Sequence, residues 1–247
     1  MRILAATLLA LFAAAPCLAQ RTYAVLSLVG DRIDIVQRAP VVGSAIDRNR
    51  KQSLPLSDSA IDRAILAGVD QALKKSEPDA KPVLLLARDP ALYKAQDRML
   101  DDSAAVTMLL GQIRPLLAES RATHLVLVTK YRHEATFRMG SGESVGNGMI
   151  EGAGFYVDRT LMTKKYGTSE RARGFLSPYV YCEVSLIDLA TSAVVKNQTI
   201  LGGFVRSAAR GESGEAWDAL TDTQKVDLLV RIARGEAFKA TTQVIAP

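Results

Sequence analysis

The chain has 247 residues, of which 48% are hydrophobic and 23% charged, and its formal net charge is +5 at pH 7. A chain of this length can bury a core large enough to fold without disulfide bonds. Low-complexity tracts, internal repeats and Cys-His metal spacings are absent from the sequence. The composition therefore excludes repeat architectures and zinc sites of the kind that spacing reveals.

Residues 1–19 have the layout of a secretory signal peptide. Arg2 gives the positive start, residues 3–15 form an apolar run, and small residues stand three before and one before a cut after Ala19. The run is shorter than the about 20 residues that a membrane-spanning helix needs. No later segment approaches that length, so no transmembrane segment is predicted.

Cleavage after Ala19 predicts a periplasmic or secreted protein. Residues 20–247 are predicted to form a single α/β domain. Loss of Arg2 lowers the formal charge from +5 to +4, and Cys182 becomes the single cysteine. Cys17 offers an alternative, because a cysteine at the end of such a run can carry lipid. Pro16 stands directly before it, where lipid attachment needs a small residue, and this favours the cleaved, unlipidated form.

Apolar residues follow strand-like and helix-like periods in turn along the first half of the chain. Residues 22–30 and 31–38 predict two strands joined as a hairpin. Residues 57–75 predict a helix with an apolar stripe. Residues 81–88 predict a strand buried on both faces, and residues 122–132 a second buried strand that is central in the sheet.

The second half continues this alternation. Two further helices are predicted near residues 93–100 and 103–113, and Pro115 should stop or kink the second. Residues 177–200 read as a long hairpin with Cys182 on its apolar face, and residues 221–245 as a closing helix that opens with a capping box. Together these elements predict an α/β (α+β) fold, in which about three to five helices pack on a single mixed β-sheet.

Gly142-Glu143-Ser144-Val145-Gly146 matches the G-x-S-x-G pattern of a hydrolase nucleophile elbow. An elbow needs a helix directly after the serine, but residues 146–154 hold four glycines, each of which costs a helix about 1 kcal/mol. Both histidines, His124 and His133, precede Ser144, whereas hydrolases of this type place the histidine after it. Strand parity also puts the two histidines on opposite faces. We therefore expect a loop serine, no catalytic residue, no metal and no cofactor.

Residues 159–174 are strongly basic, and with the glycine-rich stretch they predict a loop region at about 140–176. One interpretation is a solvated loop. The other is a contact surface for an anionic partner such as lipid headgroups, an envelope polymer or an acidic envelope protein, since nucleic acid is not expected outside the cytoplasm. The cations proposed for that contact are Arg159, Lys164, Lys165, Arg171 and Arg173, and they face one acid in this segment, Glu170.

The sequence "YCEVSLIDLATSAVVKNQTI" combines an apolar strand, Leu-Ile-Asp, a turn and Val-Val. This resembles a hairpin of bacterial envelope proteins in the curli-secretion lipoprotein group, which includes outer-membrane lipoprotein activators of penicillin-binding proteins. "ATHLVLVTKYR" is similar to the buried strand before a variable loop in that group, and a closing amphipathic helix is shared. The resemblance implies an α/β envelope domain that works by binding, and it transfers no functional residue.

These observations predict an exported, non-enzymatic accessory or interaction protein of the cell envelope. Two alternatives stay open. One is a periplasmic hydrolase whose site the sequence does not reveal, and the other is a carrier of a small ligand.

Overall fold

The computed structural model describes residues 21–39, 49–56, 58–99, 105–164, 171–207, 217–218 and 220–246. Within these ranges the strands are β1 (Tyr23–Ser27), β2 (Arg32–Gln37), β3 (Arg50–Pro55), β4 (Val83–Leu86), β5 (His124–Lys130), β6 (His133–Glu134), β7 (Phe137–Arg138), β8 (Ser144–Val145), β9 (Met149–Ile150), β10 (Gly152–Lys164), β11 (Arg171–Asp188) and β12 (Val194–Gly203). The helices are α1 (Ala60–Ser76), α2 (Pro90–Met99), α3 (Ala105–Leu117) and α4 (Asp222–Ile245). The predicted signal peptide lies outside the described residues.

Eight of these strands form one mixed sheet. β1 runs parallel to both of its neighbours, β4 and β5, whereas β11 is antiparallel to β5, β10 and β12. The order is β3-β2-β10-β11-β5-β1-β4, with β12 paired to β11. The predicted α/β class, a mixed sheet with hairpins packed by about three to five helices, is confirmed. Two small ribbons, β6 with β9 and β7 with β8, are additional to it.

The sheet is interrupted along one line. β5 and β10 both lie on the edge of β11 opposite β12, because residues of β11 that pair with either strand also pair with β12. β5 ends with Lys130 opposite Cys182, and β10 begins with Gly152 opposite the neighbouring Tyr181. The two strands are therefore collinear, and residues 131–151 form an insertion at the junction between them.

The predicted hairpin of residues 22–30 and 31–38 is wrong. β1 lies beside β5 and β2 lies beside β10, and both of those pairings are parallel. Because β5 and β10 are collinear, the chain continues forward from β1 into β2 through residues 28–31 and does not turn back. A Gly-Asp pair between two β-rich runs fits such a continuation as well as it fits a turn.

Helices cover both faces of the parallel part of the sheet. Tyr23 and Val25 of β1 belong to a core shared with α1 and α4, and the alternating Ala24 and Leu26 belong to a core shared with α2 and α3. β1 is thus buried on both faces, as the predicted central strand β5 also is. The insertion of residues 131–151 contributes to a third, aromatic core, whose largest members are Phe137, Tyr156, Phe175, Tyr179 and Tyr181.

The two longest helices agree with the sequence pattern. α1 buries the predicted stripe against α4, and the helices approach so closely at Gly68 that a Cβ there would lie 2.3 Å from the carbonyl oxygen of Arg234. α4 opens with the predicted capping box of Thr221 and Gln224. It continues through Gly235 without interruption.

Two other predictions are corrected. Residues 81–88 do not form a doubly buried strand: β4 is an edge strand paired to β1, and Val83 and Leu84 are 38% and 43% exposed. Pro115 does not stop α3, which continues to Leu117, because the proline falls in the last turn on the exposed side. In the described part of the chain, no helix is both long and apolar enough to cross a membrane.

Candidate functional site

A cleft of about 660 Å³ opens where the parallel strands β1 and β4 end. α1 and α2 both begin at this edge, with Ser59 as the N-cap of α1 and Pro90 as the first residue of α2. Open α/β sheets bind ligands outside the carboxyl ends of their parallel strands. The cleft is lined by Gly30, Asp31, Arg32, Leu56, Asp58, Ser59, Ala87, Arg88, Pro90, Tyr93, Lys94 and Asp97.

One face of α2 forms a wall of the cleft. Pro90, Tyr93, Lys94 and Asp97 follow the i, i+3, i+4, i+7 spacing that places residues on one side of a helix. Leu92, on another side of α2, is buried in the core shared with α3. α2 is therefore amphipathic, and its polar side faces the cleft.

Asp62 of α1 organises the floor of the cleft where β1 ends. Its carboxylate accepts hydrogen bonds from the Ser27 hydroxyl (2.5 Å), the backbone N–H of Val29 (3.1 Å) and Gly30 (3.0 Å), and the Tyr93 hydroxyl (2.7 Å). Burial raises the pKa of Asp62, although these four donors act against the rise. The carboxylate replaces a neighbouring strand for the two amides and ties α2 to β1 through Tyr93.

A charged network fills the interruption in the sheet. Lys130, whose side chain is 1% exposed, places Nζ 2.7 Å from Asp31 Oδ1 and 2.9 Å from Asp97 Oδ1. Arg32 lies 2.8 Å from Asp97, 3.0 Å from Asp31 and 3.5 Å from Glu151. Burial acts to raise the pKa of Asp97, but the bonds from Arg32 and Lys130 outweigh it, so this pKa is lowered.

The network extends from the cleft across the sheet. Glu151 accepts from Arg132 at 2.6 Å and from Lys51 at 3.1 Å, and Lys51 also lies 2.9 Å from the buried Asp34. Burial acts to raise the pKa of Glu151, whereas Arg132 and Lys51 lower it with a larger combined effect. The four acids and four bases carry no net charge together. They are Asp31, Asp34, Asp97, Glu151, Arg32, Lys51, Lys130 and Arg132.

Two cations of the cleft remain after this pairing. Arg88 and Lys94 are exposed, and within the described ranges neither has an ion-pair partner. Asp58 lines the cleft, and its carboxylate lies 3.6 Å from the guanidinium group of Arg63, which is not part of the lining. The Ser59 side chain makes no capping hydrogen bond to α1. α2, in contrast, is capped, since the Asp89 carboxylate accepts from the backbone N–H of Ala91 at 2.8 Å. The cleft therefore offers a ligand two cations and, at the start of α1, uncapped amides.

The residues proposed from sequence for an anionic contact lie elsewhere. Arg159 lies in β10, and Arg171 and Arg173 lie in β11, so the predicted basic loop is wrong over these residues, which form the arms of a hairpin. Lys164 ends β10 at the register position opposite Arg171. Lys165 lies outside the described residues. None of the three arginines lines the cleft.

Ser144 lies in a short strand and not in the predicted loop, and the two histidines lie in different strands, so the parity of one strand does not relate them. Ser144 is exposed in β8, and the chain continues from it into β9 without forming a helix. His124 begins β5 beside Tyr23, and His133 stacks on Tyr131 within the insertion. Across the described ranges, no group of three or more His, Cys, Asp or Glu side chains is placed to hold a metal ion.

Cys182 is buried in the core, as predicted. Burial raises the pKa of its thiol well above the usual value. The cleft residues, in contrast, did not emerge from the sequence. The available signal was the charged pair Asp31-Arg32 and the single Lys130, each placed directly after a run of buried β-residues.

Comparisons with known proteins give fold-level likenesses alone. No protein-family model matches the chain, and no curated protein matches it. It is similar in structure to a neuraminyllactose-binding hemagglutinin homolog from Helicobacter pylori, with a TM-score of 0.42 and 8% identity over 92% of this chain and 87% of that one.

Two other solved structures are similar. PelC from Paraburkholderia phytofirmans, solved as a dodecamer, has a TM-score of 0.33 and 11% identity over 92% of this chain and 89% of its own. A DUF330 protein from Xanthomonas campestris has a TM-score of 0.32 and 9% identity over 91% of this chain and 81% of its own. Likenesses at this level carry no argument about function, and the resemblance to the curli-secretion group stays a prediction.

Proposed function

We propose that this chain is an exported accessory protein of the cell envelope that acts by binding, and that its cleft takes a small ligand with a carboxylate or phosphate group. The observation that carries this proposal is a pair of cations, Arg88 and Lys94, at the edge where α1 and α2 begin; among the described residues neither has an ion-pair partner. The proposal joins the accessory-protein interpretation of the sequence with the small-ligand alternative.

The electrostatics of the cleft favour an anion. The N-terminus of α1 carries the equivalent of about half a positive charge on its uncapped amides. α2 contributes less, because the Asp89 carboxylate accepts from the backbone N–H of Ala91 at 2.8 Å. Three acids also line the cleft, but each has a cationic partner: Arg32 and Lys130 pair with Asp31 and Asp97, and Arg63 lies 3.6 Å from Asp58. The volume of about 660 Å³ is also within the range of small-molecule sites.

The ionisable side chains in and below the cleft are poorly suited to proton transfer, and this favours binding over catalysis. A general base works best when its pKa lies near the working pH. The pKa of Asp97 is lowered, whereas burial and the nearby Asp62 raise that of Tyr93 well above its usual value. The Asp62 carboxylate already accepts four hydrogen bonds. A fluorophosphonate probe that labelled any serine would instead support the hydrolase alternative.

Calorimetric titration with sodium phosphate, glycerol 3-phosphate and uncharged glycerol tests the proposal. We expect both anions to bind and glycerol not to bind. The double variant R88Q/K94Q should weaken anion binding at least about tenfold, since a hydrogen bond to a charged group contributes about 1.5 kcal/mol or more.

The matched control is R50Q/K81Q, which removes two exposed cations away from the cleft. This variant should bind as the wild type does. Equal weakening in both variants would mean that net charge, and not the cleft, attracts the anion. Absence of binding to both probes, with no anion found by native mass spectrometry of protein purified from the periplasm, would refute the proposed ligand class.

Export is a separate part of the proposal. It rests on the predicted signal peptide, residues 1–19, and on the resemblance to envelope proteins. Cell fractionation and N-terminal sequencing test it directly. A mature chain that begins at Gln20 in the periplasmic fraction is expected, and a cytoplasmic chain that retains Arg2 would contradict it.

A further inference from the structure

The end of the β10–β11 hairpin projects a one-sided basic face. Beyond the pair Asp158 and Phe175 the register shifts, and then Met162 pairs with Arg173. Side chains of paired residues in an antiparallel ladder point to the same side, and so do residues two apart on one strand. Met162, Arg171 and Arg173 therefore share one face of the hairpin.

The opposite face is turned toward the body of the protein. Leu161 packs against the aromatic core, and the buried Thr163 donates its hydroxyl to the carbonyl oxygen of Gly174 at 3.0 Å. On the outward face, Met162 is 55% exposed, and Arg171 and Arg173 are exposed as well. The exposed side of the hairpin thus combines an apolar side chain with two cations.

The base of the hairpin holds this face in place. Asp158, whose side chain is fully buried, accepts from the backbone N–H of Thr160 at 2.7 Å and of Leu161 at 3.0 Å. Arg38 donates to the same carboxylate at 2.6 Å. Arg173 Nε donates to the carbonyl oxygen of Arg159 at 3.0 Å. The bulge is therefore ordered by side-chain contacts, and one arginine of the face is fixed to it.

We infer that this face, defined by Met162, Arg171 and Arg173, binds the surface of a membrane that contains anionic lipids. Lipid phosphates attract the two guanidinium groups, and the boundary below the headgroups accepts an apolar side chain. An acidic polymer would satisfy the arginines but would leave Met162 in water. The mixture of charge and exposed thioether favours lipid, and the inference is independent of the cleft.

Co-sedimentation with vesicles tests the inference. We expect the protein to bind vesicles of equal parts phosphatidylglycerol and phosphatidylcholine, to bind pure phosphatidylcholine far more weakly, and to dissociate as salt is raised. R171Q/R173Q should lower the partition coefficient about 30-fold, equivalent to about 1 kcal/mol for each arginine. M162S should lower it as well, without changing the slope of binding against salt.

The controls separate this surface from general charge and from the cleft. R50Q/K81Q and R88Q/K94Q each remove two exposed cations elsewhere and should bind vesicles as the wild type does. Circular dichroism establishes that each variant is folded. The inference is overturned if the wild type ignores anionic vesicles, if the controls lose as much binding as R171Q/R173Q, or if M162S binds normally, the last result indicating an acidic polymer or protein as the partner.

Discussion

Removal of the Asp62 carboxylate should strongly destabilise the protein. In D62A, the backbone N–H groups of Val29 and Gly30 lose their acceptor inside the structure, and so does the Ser27 hydroxyl. A buried donor left without a partner costs about 1–3 kcal/mol. The two amides alone give about 4 kcal/mol as a central value, because the described residues offer Val29 and Gly30 no carbonyl from a neighbouring strand. Leu28, in contrast, donates to Val128 of β5 at 2.9 Å. Tyr93 loses less, since its hydroxyl also lies 3.5 Å from the Ala87 carbonyl oxygen.

Two variants make the prediction specific. D62N keeps one acceptor oxygen for the amides and should lose about 1–2 kcal/mol. D70A removes a partly exposed carboxylate from the same helix, where it pairs with the exposed Lys74 at 2.8 Å, and should change the free energy of unfolding by less than about 0.5 kcal/mol.

Urea unfolding followed by the fluorescence of the single tryptophan, Trp217, measures all three variants. This ring packs edge-on against Phe155 of the core, so its emission should report on unfolding. The reasoning is refuted if D62A unfolds within about 1 kcal/mol of the wild type, well below the cost of two unpaired amides. It is also refuted if D62N is as unstable as D62A, because then the acceptor oxygen is not what matters.

Two further predictions concern the loss of stability in acid and the substitution of glycines with and without close backbone contacts. The pKa values of Asp97, Glu151 and Asp158 are lowered by their cationic or donor partners against the effect of burial, so the folded state holds these protons less tightly than the unfolded state. Stability from these groups is present above about pH 4.5 and should fall as pH drops further, and a urea midpoint that stays constant from pH 6 to pH 3 would contradict this. Gly154→Ala places a Cβ 2.1 Å from a carbonyl oxygen of β2 and should prevent the β2–β10 pairing, whereas Gly111→Ala meets nothing within 4 Å and should stabilise α3 by up to about 1 kcal/mol. Thermal melting compares the two variants, and equal melting temperatures would be the contrary result.

Local periodicity correctly predicted those elements whose buried face is set by residues close together in the sequence. The stripe of α1, the capping box of α4 and the apolar face around Cys182 were all visible in the sequence, because each depends on residues a few positions apart. β5 was also correctly placed at the centre of the sheet. These elements were enough to predict the fold class.

Pairing partners were not predictable in the same way, because they are set by distant segments. The run of β4 is as apolar as that of β5, yet β4 lies at an edge. The continuation of β1 into β2 depends on β5 and β10 being collinear, which in turn depends on residues 181 and 182 of β11. The residues near Gly30 give no indication of that arrangement in the sequence.

The candidate site follows from the same arrangement. Where two collinear strands are interrupted, the neighbouring backbone loses its ladder, and its polar groups need side-chain partners. Asp62 supplies acceptors to residues 29 and 30, and Lys130, Asp31 and Asp97 fill the gap with paired charge. α2 supplies Asp97 to this network and forms a wall of the cleft. The polar interior and the cleft therefore arise from one structural cause, and a ligand that enters the cleft meets a surface whose charges are already neutralised, except for Arg88 and Lys94.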